Sequence, residues 1–497
     1  MASKYKVSIY VEIKECPDEV EITNQPIKEG VGEFMWVVSS EEAYSIDKLE
    51  QIMLKTHYAA LRDAFAHHLS SISKEYALSA AGSLDECEIK PYRVEGEIGR
   101  ITFDTYWVKQ SGKGSFSLFP TLHAKEWYRT SGFKELALVY GTVEESYRKA
   151  STLVNRVRHQ EDATPSRTLR DNTEYEGEKV RQQMEQQATE ILQQHGFRND
   201  GRPSENTMNY SHQEVTLPEE KVEQAIQACA PAPELAVEMK SNPVSYEDPD
   251  QSVALSLDDV SVKKQKEIRK GGQKFIKKLK NVHNTIAHIN HGGSYIINGS
   301  GFGSVLRLVL AFLLHNELLK YNLIFFVDGQ RTLYEAIGKA FGWFKPLKII
   351  LDWYHLEKRC KEQLSLALKG KEIRNKVLEQ LLSFLWHGCV DKAIASLQKV
   401  DPGDIKDCKS LEDLISYLKR NRPYIPCYSV RKSLGLCNSS NRGEKANDLI
   451  VSERQKHNGM SWSRFGSIAL ATITALVHNG EHKHWLQTQT LSFKFAC

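Results

Sequence analysis

Apolar residues follow two rhythms along this chain, and the changes between them mark its elements. Over residues 41–81 they fall at helical spacing. Over 133–158 they do so again, with Leu136, Val139, Val143, Tyr147, Ala150 and Val154 near one helical face. Between these stretches, RVEGEIGRITFDTYWVK alternates apolar and polar positions around Gly99, the period of a β-hairpin. The opening residues 5–13 read as a strand. A break at Asp162 to Pro165 leads into SRTLRDNTEYEGEKV and a Gln/Glu-rich helix ending near His195. Two short helices joined by a turn, the second rich in Ser, Thr and Arg, fit a helix-turn-helix as well as a plain helical hairpin. Residues 197–251 are rich in Pro, Asn and Ser and read as a linker with one helical candidate, 219–228.

Beyond Ser252 the order is legible. VALSLDD is a strand, FIKKLKNVHNTIAHI and GSYIING follow as a basic strand pair, and SVLRLVLAFLLHNELLK is an apolar helix. Strand NLIFFVDG, helix RTLYEAIGKAF and strand LKIILDW come next. Three strands, a helix, then strand–helix–strand is the order of a ribonuclease-H-like core, in which an antiparallel trio gains parallel strands through crossover helices. Residues 355–422 are nearly all helical and read as an insertion. The expected class is therefore α/β: a ribonuclease-H-like mixed sheet with a helical insertion, preceded by an α+β DNA-binding region. The expected divisions are an N-terminal region (1–130), a helical segment (131–196), the linker (197–251), the first part of the core (252–354), the insertion (355–435) and the core's completion (436–497).

Composition narrows the class without naming an activity. The apolar stretches are too short or too interrupted to span a bilayer, and the N-terminus has no apolar run of signal-peptide length. No membrane partner and a cytoplasmic site are the expectation. The nine cysteines form no C-x-x-C pair, so neither a zinc ribbon nor a disulfide framework is expected. A net charge of +3 conceals a dense basic cluster of Lys263, Lys264, Lys266, Arg269, Lys270, Lys274, Lys277, Lys278 and Lys280. Such a cluster beside an acidic centre suits a polyanionic substrate.

The candidate chemistry lies in three acids far apart in sequence. Asp258 closes VALSL, Asp328 closes NLIFFV, and Glu444 opens the helical run GEKANDLIVSERQKHNGMSW. A carboxylate at a buried strand end is costly to desolvate unless it is paired or holds a cation. In the expected sheet the first and fourth strands are neighbours, so Asp258 and Asp328 can share a metal. Glu444 would complete an oxygen ligand set for two Mg²⁺ (or Mn²⁺) ions about 3.5–4 Å apart. Asn447, Asp448 and Val451 share the Glu444 face at helical spacing, whereas Glu453 falls on roughly the opposite side. Taken singly, Asp328 also reads as a helix N-cap and Glu444 as a first-turn acid complementing the helix dipole.

The same run resembles the terminal signature of a group of bacterial insertion-sequence DDE transposases. Their E-x-x-N element is matched by Glu444 and Asn447, and their R-x-K-x-x-G-M-x-W element by Arg454, Lys456, Gly459, Met460 and Trp462. VDGQRTLYEAI followed by LDWYHLEKRC is similar to the second-aspartate region of these and of Mutator-type transposases, where an Asp-Gly strand end precedes a C/D-x-x-H segment. The resemblance implies Asp328 as the second catalytic acid, with Asp352 and His355 in the supporting segment. The first acid lies in LDDVSVKKQK. The doublet Asp258/Asp259 leaves it open, with Asp258 in the family's Asp position and Asp259 where the family more often has Gly. Relatives often carry a cysteine-based zinc element near the N-terminus, which is missing here.

The implied activity is transposition: Mg²⁺-dependent cutting of element ends, then attack of the freed 3′-hydroxyl on target DNA. The partners are then the terminal inverted repeats, target DNA and further copies of this chain, in a prokaryotic, nucleoid-associated setting. Lys263, Lys264, Arg454 and Lys456 are candidates for phosphate contacts, and Arg167 and Arg170 for reading the ends. The rival expectation is a non-catalytic DNA-binding protein or repressor derived from a transposase; a second is a nuclease that joins no strands. INGSGFGS lacks the spacing of a nucleotide loop and reads as a turn into the apolar helix. His355 and Cys360 lack a second metal-binding pair. His288, His291, His482 and His484 read as exposed, and Trp386 as packing within the insertion or stacking on a base.

Overall fold

The computed structural model describes residues 21–23, 25–85, 87–110, 112, 114–123, 127–265 and 280–495. The strand expected at 5–13 lies outside them, as do Cys16, Cys497 and Lys266, Arg269, Lys270, Lys274, Lys277 and Lys278 of the basic cluster. The chain divides into two compact units, residues 1–173 and 174–497.

In the first unit the alternating segment forms a long hairpin, Cys87–Gly96 with Gly99–Gln110, flanked by the short strands Gly114–Phe116 and Trp127–Arg129. The helix Ile46–Ala81 packs on it, and Ala66, Leu69 and Ile72 meet the core of Tyr92, Val94, Ile101, Phe103 and Phe119. Helices Ser131–Val143 and Tyr147–Val157 are each capped by a hydroxyl: Thr130 Oγ1 accepts from the Phe133 N–H and Ser146 Oγ from the Lys149 N–H. The helix that follows, Ser166–Gln194, runs 29 residues, beginning in the first unit and continuing into the second. The pair expected as two short helices is thus one short and one long.

The second unit holds a five-stranded mixed sheet. Its strands are β1 (Ser252–Lys263), β2 (Asn281–Asn290), β3 (Ser294–Gly299), β4 (Asn322–Val327) and β5 (Leu347–Leu351), in the order β5-β4-β1-β2-β3. The trio β1-β2-β3 is antiparallel, and β4 and β5 add in parallel on the other side of β1. Every residue of β4 is buried, as a central parallel strand requires. Helix α1 (Phe302–His315) is buried from Val305 to Leu314 except at Arg307, and Gly301, at φ +91°, makes the turn into it. Helix α2 (Arg331–Phe341) links β4 to β5.

After β5 comes a helical block of α3 (Trp353–Ala367), α4 (Lys371–Trp386), α5 (Val390–Gln398), α6 (Cys408–Asn421) and α7 (Tyr428–Ser433). It has its own core around Leu364, Leu381, Leu385, Leu397, Leu414 and Leu418. Trp386 packs there against Trp353 and Tyr428. The chain then returns to the sheet through α8 (Asn441–Asn447), a π-helix (Asp448–Lys456) and α9 (Arg464–His478), which packs on β2 and β3.

The stretch 197–251, linker-like in composition, carries the helices Glu219–Cys229 and Pro233–Lys240. Their Ala225, Ile226 and Met239 share a core with Cys389, Cys427, Val430 and Leu436. Its buried Glu247 receives two hydrogen bonds from Arg431, at 2.6 and 2.7 Å, and one from Lys348 of β5 at 3.1 Å. Among the described residues no helix is long and apolar enough to cross a membrane.

Candidate active site

β1 and β4 run side by side with Ser256 level with Phe326. Two residues further on, Asp258 and Asp328 stand at the same level and on the same face. β4 leaves the sheet there, because Gly329 adopts φ +87° and turns the chain toward α2. β1 does not end at Asp258 as its sequence suggests. It continues to Lys263, since β2 still pairs with it along that length. Asp258 therefore sits where β1 loses one neighbour and keeps the other.

Both acids line a narrow, partly enclosed cleft, together with Ser256, His288, His355, Gly443, Glu444 and Asn447. Asp259 does not line it. The alternation of the strand sends its carboxylate to the opposite face, where it accepts from the Thr285 hydroxyl at 2.6 Å. Of the Asp258/Asp259 doublet, Asp258 is the member that faces the cleft.

Two contacts bring Glu444 to this place. Gly443 lies so close to β1 that a Cβ there would fall on the Ser256 hydroxyl and 2.7 Å from Ser256 Cβ, so only glycine lets α8 approach. Asp352, almost fully buried, caps α3 by accepting from Tyr354 N at 2.8 Å, and its other oxygen accepts from Ser440 N (2.5 Å) and Ser440 Oγ (2.9 Å). One carboxylate thereby ties the start of the helical block to the start of α8. Asp352→Ala is expected to lose both the cap and the tether, lowering stability by about 2–4 kcal/mol in urea denaturation.

The acids have polar partners but no lysine or arginine in the cleft lining. Asp258 accepts from Asn447 Nδ2 at 2.6 Å and from the Asp259 backbone N–H at 2.7 Å. Asp328 accepts from Gln330 N at 2.9 Å. Glu444 Oε1 lies 3.3 Å from His355 Nε2. Burial pushes the Asp328 carboxyl above the ordinary range, and the Asp258 charge adds to it against the opposing pull of the Gln330 N–H and His355. Glu444 is likewise raised, first by burial and then by Asp352, Asp258 and Asp448, with His355 opposing. Two acids held above their usual range by desolvation and by the nearby charge of Asp258 form an incomplete electrostatic arrangement, which an added cation would relieve.

As the side chains stand, no three His, Cys, Asp or Glu among the described residues are close enough to hold a metal ion. The donor set itself, three carboxylates with no neutralising side-chain cation, fits a hard divalent ion such as Mg²⁺.

The other expected residues fall into two groups. Lys263 and Lys456 are exposed, as are Arg167 and Arg170 of the first unit, which both pair with Asp171. Arg454 is inside: it is 3 % exposed, its guanidinium lies 5.4 Å from the Trp462 ring centre, and Nη1 is 3.7 Å from Met460 Sδ. A phosphate could reach it only if it left this position. Trp462 in turn bonds to Lys263 O through its backbone N–H at 2.9 Å, and its indole donates to Gln455 O at 3.0 Å. Much of the R-x-K-x-x-G-M-x-W run thus clamps the π-helix to the far end of β1. Lys264 takes part through its backbone bridge to Trp462. Glu453 is exposed, in keeping with its place on the other side from Glu444.

Sequence reasoning missed His288, which it placed at the surface. It is 7 % exposed, lines the cleft and bonds through Nε2 to Ser294 Oγ at 2.8 Å. The usable signal was its strand parity, since His288 pairs with Ser256, two residues before Asp258. Cys360 is buried, with its thiol pushed up to about 12 by burial, which suits packing.

No family model matches this sequence, and no curated protein matches it. Among solved structures, the chain is similar to the Drosophila P element transposase strand transfer complex at 11 % identity, over 56 % of this chain and 83 % of that one, with a TM-score of 0.18. A superposition this loose carries no argument about fold or activity, so the reading of the site rests on its own geometry and on the short segments identified in the sequence.

Proposed function

We propose that this chain is a DDE transposase that cuts the ends of its own mobile element and joins the freed 3′-hydroxyls to target DNA. The observation that carries this reading is the convergence of Asp258, Asp328 and Glu444 on one cleft, from two adjacent parallel strands and a separate helix. The strand order β5-β4-β1-β2-β3, with its antiparallel trio and parallel extension, supports a ribonuclease-H-like core interrupted by a helical insertion.

In this reading Asp258, Asp328 and Glu444 hold two Mg²⁺ or Mn²⁺ ions. When bound, these supply Lewis-acid stabilisation of the scissile phosphate and an activated water or 3′-hydroxyl. Asn447 and the Asp259 N–H fix the plane of the Asp258 carboxylate. Asp352 holds the segment that presents Glu444, and His355 keeps a proton at Nε2 against Glu444 Oε1. Lys263 and Lys456 serve as phosphate contacts, and Arg167 and Arg170 serve at the element ends. Arg454 keeps its buried place. Because two ends must be held together, the active species is a dimer or larger assembly on DNA.

The test incubates the full chain with Mg²⁺ and duplex DNA carrying the terminal repeats that flank its coding sequence. Nicking at the ends followed by joining supports the reading. Nicking without joining assigns a structure-specific nuclease, and binding without nicking in Mg²⁺ or Mn²⁺ assigns a non-catalytic DNA-binding protein. In the same assay Gly443→Ala is expected to lose about a hundredfold in cleavage while remaining folded, because a shift of roughly 1 Å in Glu444 is enough for that loss.

A further inference from the structure

The hydroxyl of Tyr417 is buried and has no hydrogen-bond partner among the described residues. Tyr417 lies on α6 in the helical block and is 6 % exposed. Arg359 and Arg420 hold its ring, with guanidinium carbons 5.7 and 5.6 Å from the ring centre. Its hydroxyl reaches back to the sheet and packs on Gly329, the residue after Asp328. A Cβ at Gly329 would fall on this oxygen and 3.1 Å from Tyr417 Cε2. Glycine at this position therefore serves twice, allowing the positive φ of the turn and leaving a gap for the phenol.

A purely structural account does not explain the oxygen. A buried hydroxyl without a partner is destabilising, and phenylalanine would fill the same space without that penalty. Asp328 is close enough for its charge to act on Tyr417, and also on Tyr334 of α2. The hydroxyl of Tyr334 is likewise buried and unpartnered, and its ring stacks on Tyr424 with centres 4.4 Å apart. The Asp328 carboxylate accepts from Gln330 N through one oxygen, which leaves acceptor capacity on the other.

We propose that Tyr417 is a positioning residue for Asp328, its hydroxyl donating to the carboxylate when that acid turns to hold a cation. The helical insertion then sets the geometry of the cleft from outside the sheet. This rests on the reading of Asp258, Asp328 and Glu444 as a cation site. A donor behind a metal-ligating carboxylate fixes its orientation, and losing such a donor typically weakens metal binding ten- to a hundredfold.

The experiment compares wild type with Tyr417→Phe in the full chain, measuring Mn²⁺ affinity by titration calorimetry alongside the melting temperature. The expected result is Mn²⁺ affinity about tenfold weaker at an unchanged or higher melting temperature. Affinity within twofold of wild type would overturn the proposal. So would a clear fall in melting temperature with unchanged affinity, which would mark the hydroxyl as a structural donor. If wild type itself takes up no Mn²⁺, the cation-site reading fails first and the proposal falls with it. Failure in the variant comparison alone leaves that reading standing.

Discussion

Asp328→Asn and Glu444→Gln are each expected to reduce strand cleavage by about a thousandfold, the kinetic equivalent of about 4 kcal/mol, while DNA affinity stays within about twofold. Each substitution keeps the side-chain shape and removes the charge that a metal ion needs. DNA affinity persists because it comes mainly from cations meeting phosphates, and none of those side chains is touched. Asp328→Asn should also raise the melting temperature of the metal-free protein. The folded-state pKa of Asp328 lies above its unfolded value, so at neutral pH the charged acid favours the unfolded chain, and a neutral amide removes that cost. The same sign governs cation uptake. Asp328 and Glu444 are both raised, so Mn²⁺ binding should release protons and weaken as pH falls through a range above that of free carboxylates. Cleavage at wild-type rate in either variant would remove that acid from the mechanism.

Glu247→Ala is expected to be among the most destabilising single changes in the second unit, at about 3–5 kcal/mol in chemical denaturation. Glu247 is buried against Arg431, which is itself fully buried, and against Lys348 of β5. Removing the acid strands the Arg431 charge inside the protein with, among the described residues, the Cys437 carbonyl left to accept from it. Lys348 retains Glu214 at 2.6 Å, so the loss falls mainly on Arg431. The contact joins the stretch before β1 to α7, so the helices of residues 219–240 should loosen together with the end of the insertion, as protection from hydrogen exchange would report. Burial alone would raise the Glu247 carboxyl, but the hydrogen bonds and charge of Arg431, with Lys348, hold it down to about 2. Its folded value is depressed, so its contribution is complete above the unfolded carboxylate range and is lost as pH falls through that range toward about 2. Stability of the wild type should drop steeply over that interval, and that of Glu247→Ala should drop less.

The sequence by itself determined the strand and helix order from β1 to β5 and the identity of the candidate acids, because both are local properties. Five consecutive apolar residues in NLIFFV mark a buried strand wherever they occur, and Asp-Gly after such a run marks its end. Gly443 carried no such mark. Its importance comes from the Ser256 side chain, which α8 meets only in the folded chain. Arg454 reads in the sequence as a candidate phosphate contact; the nine-residue π-helix turns it inward onto Trp462. The prolines and asparagines of residues 197–251 suggest an open tether, yet Glu247 within that stretch is bound by charges contributed from β5 and α7. His288 and Tyr417 were equally hidden, because neither belongs to a motif and each matters only through what faces it across the sheet or the insertion. Periodicity and turn chemistry act over a few residues and can be read from order alone. The pairing of Glu247 with Arg431 and Lys348 and the closeness of α8 to β1 depend on residues more than a hundred positions apart, and only the tertiary structure decided them.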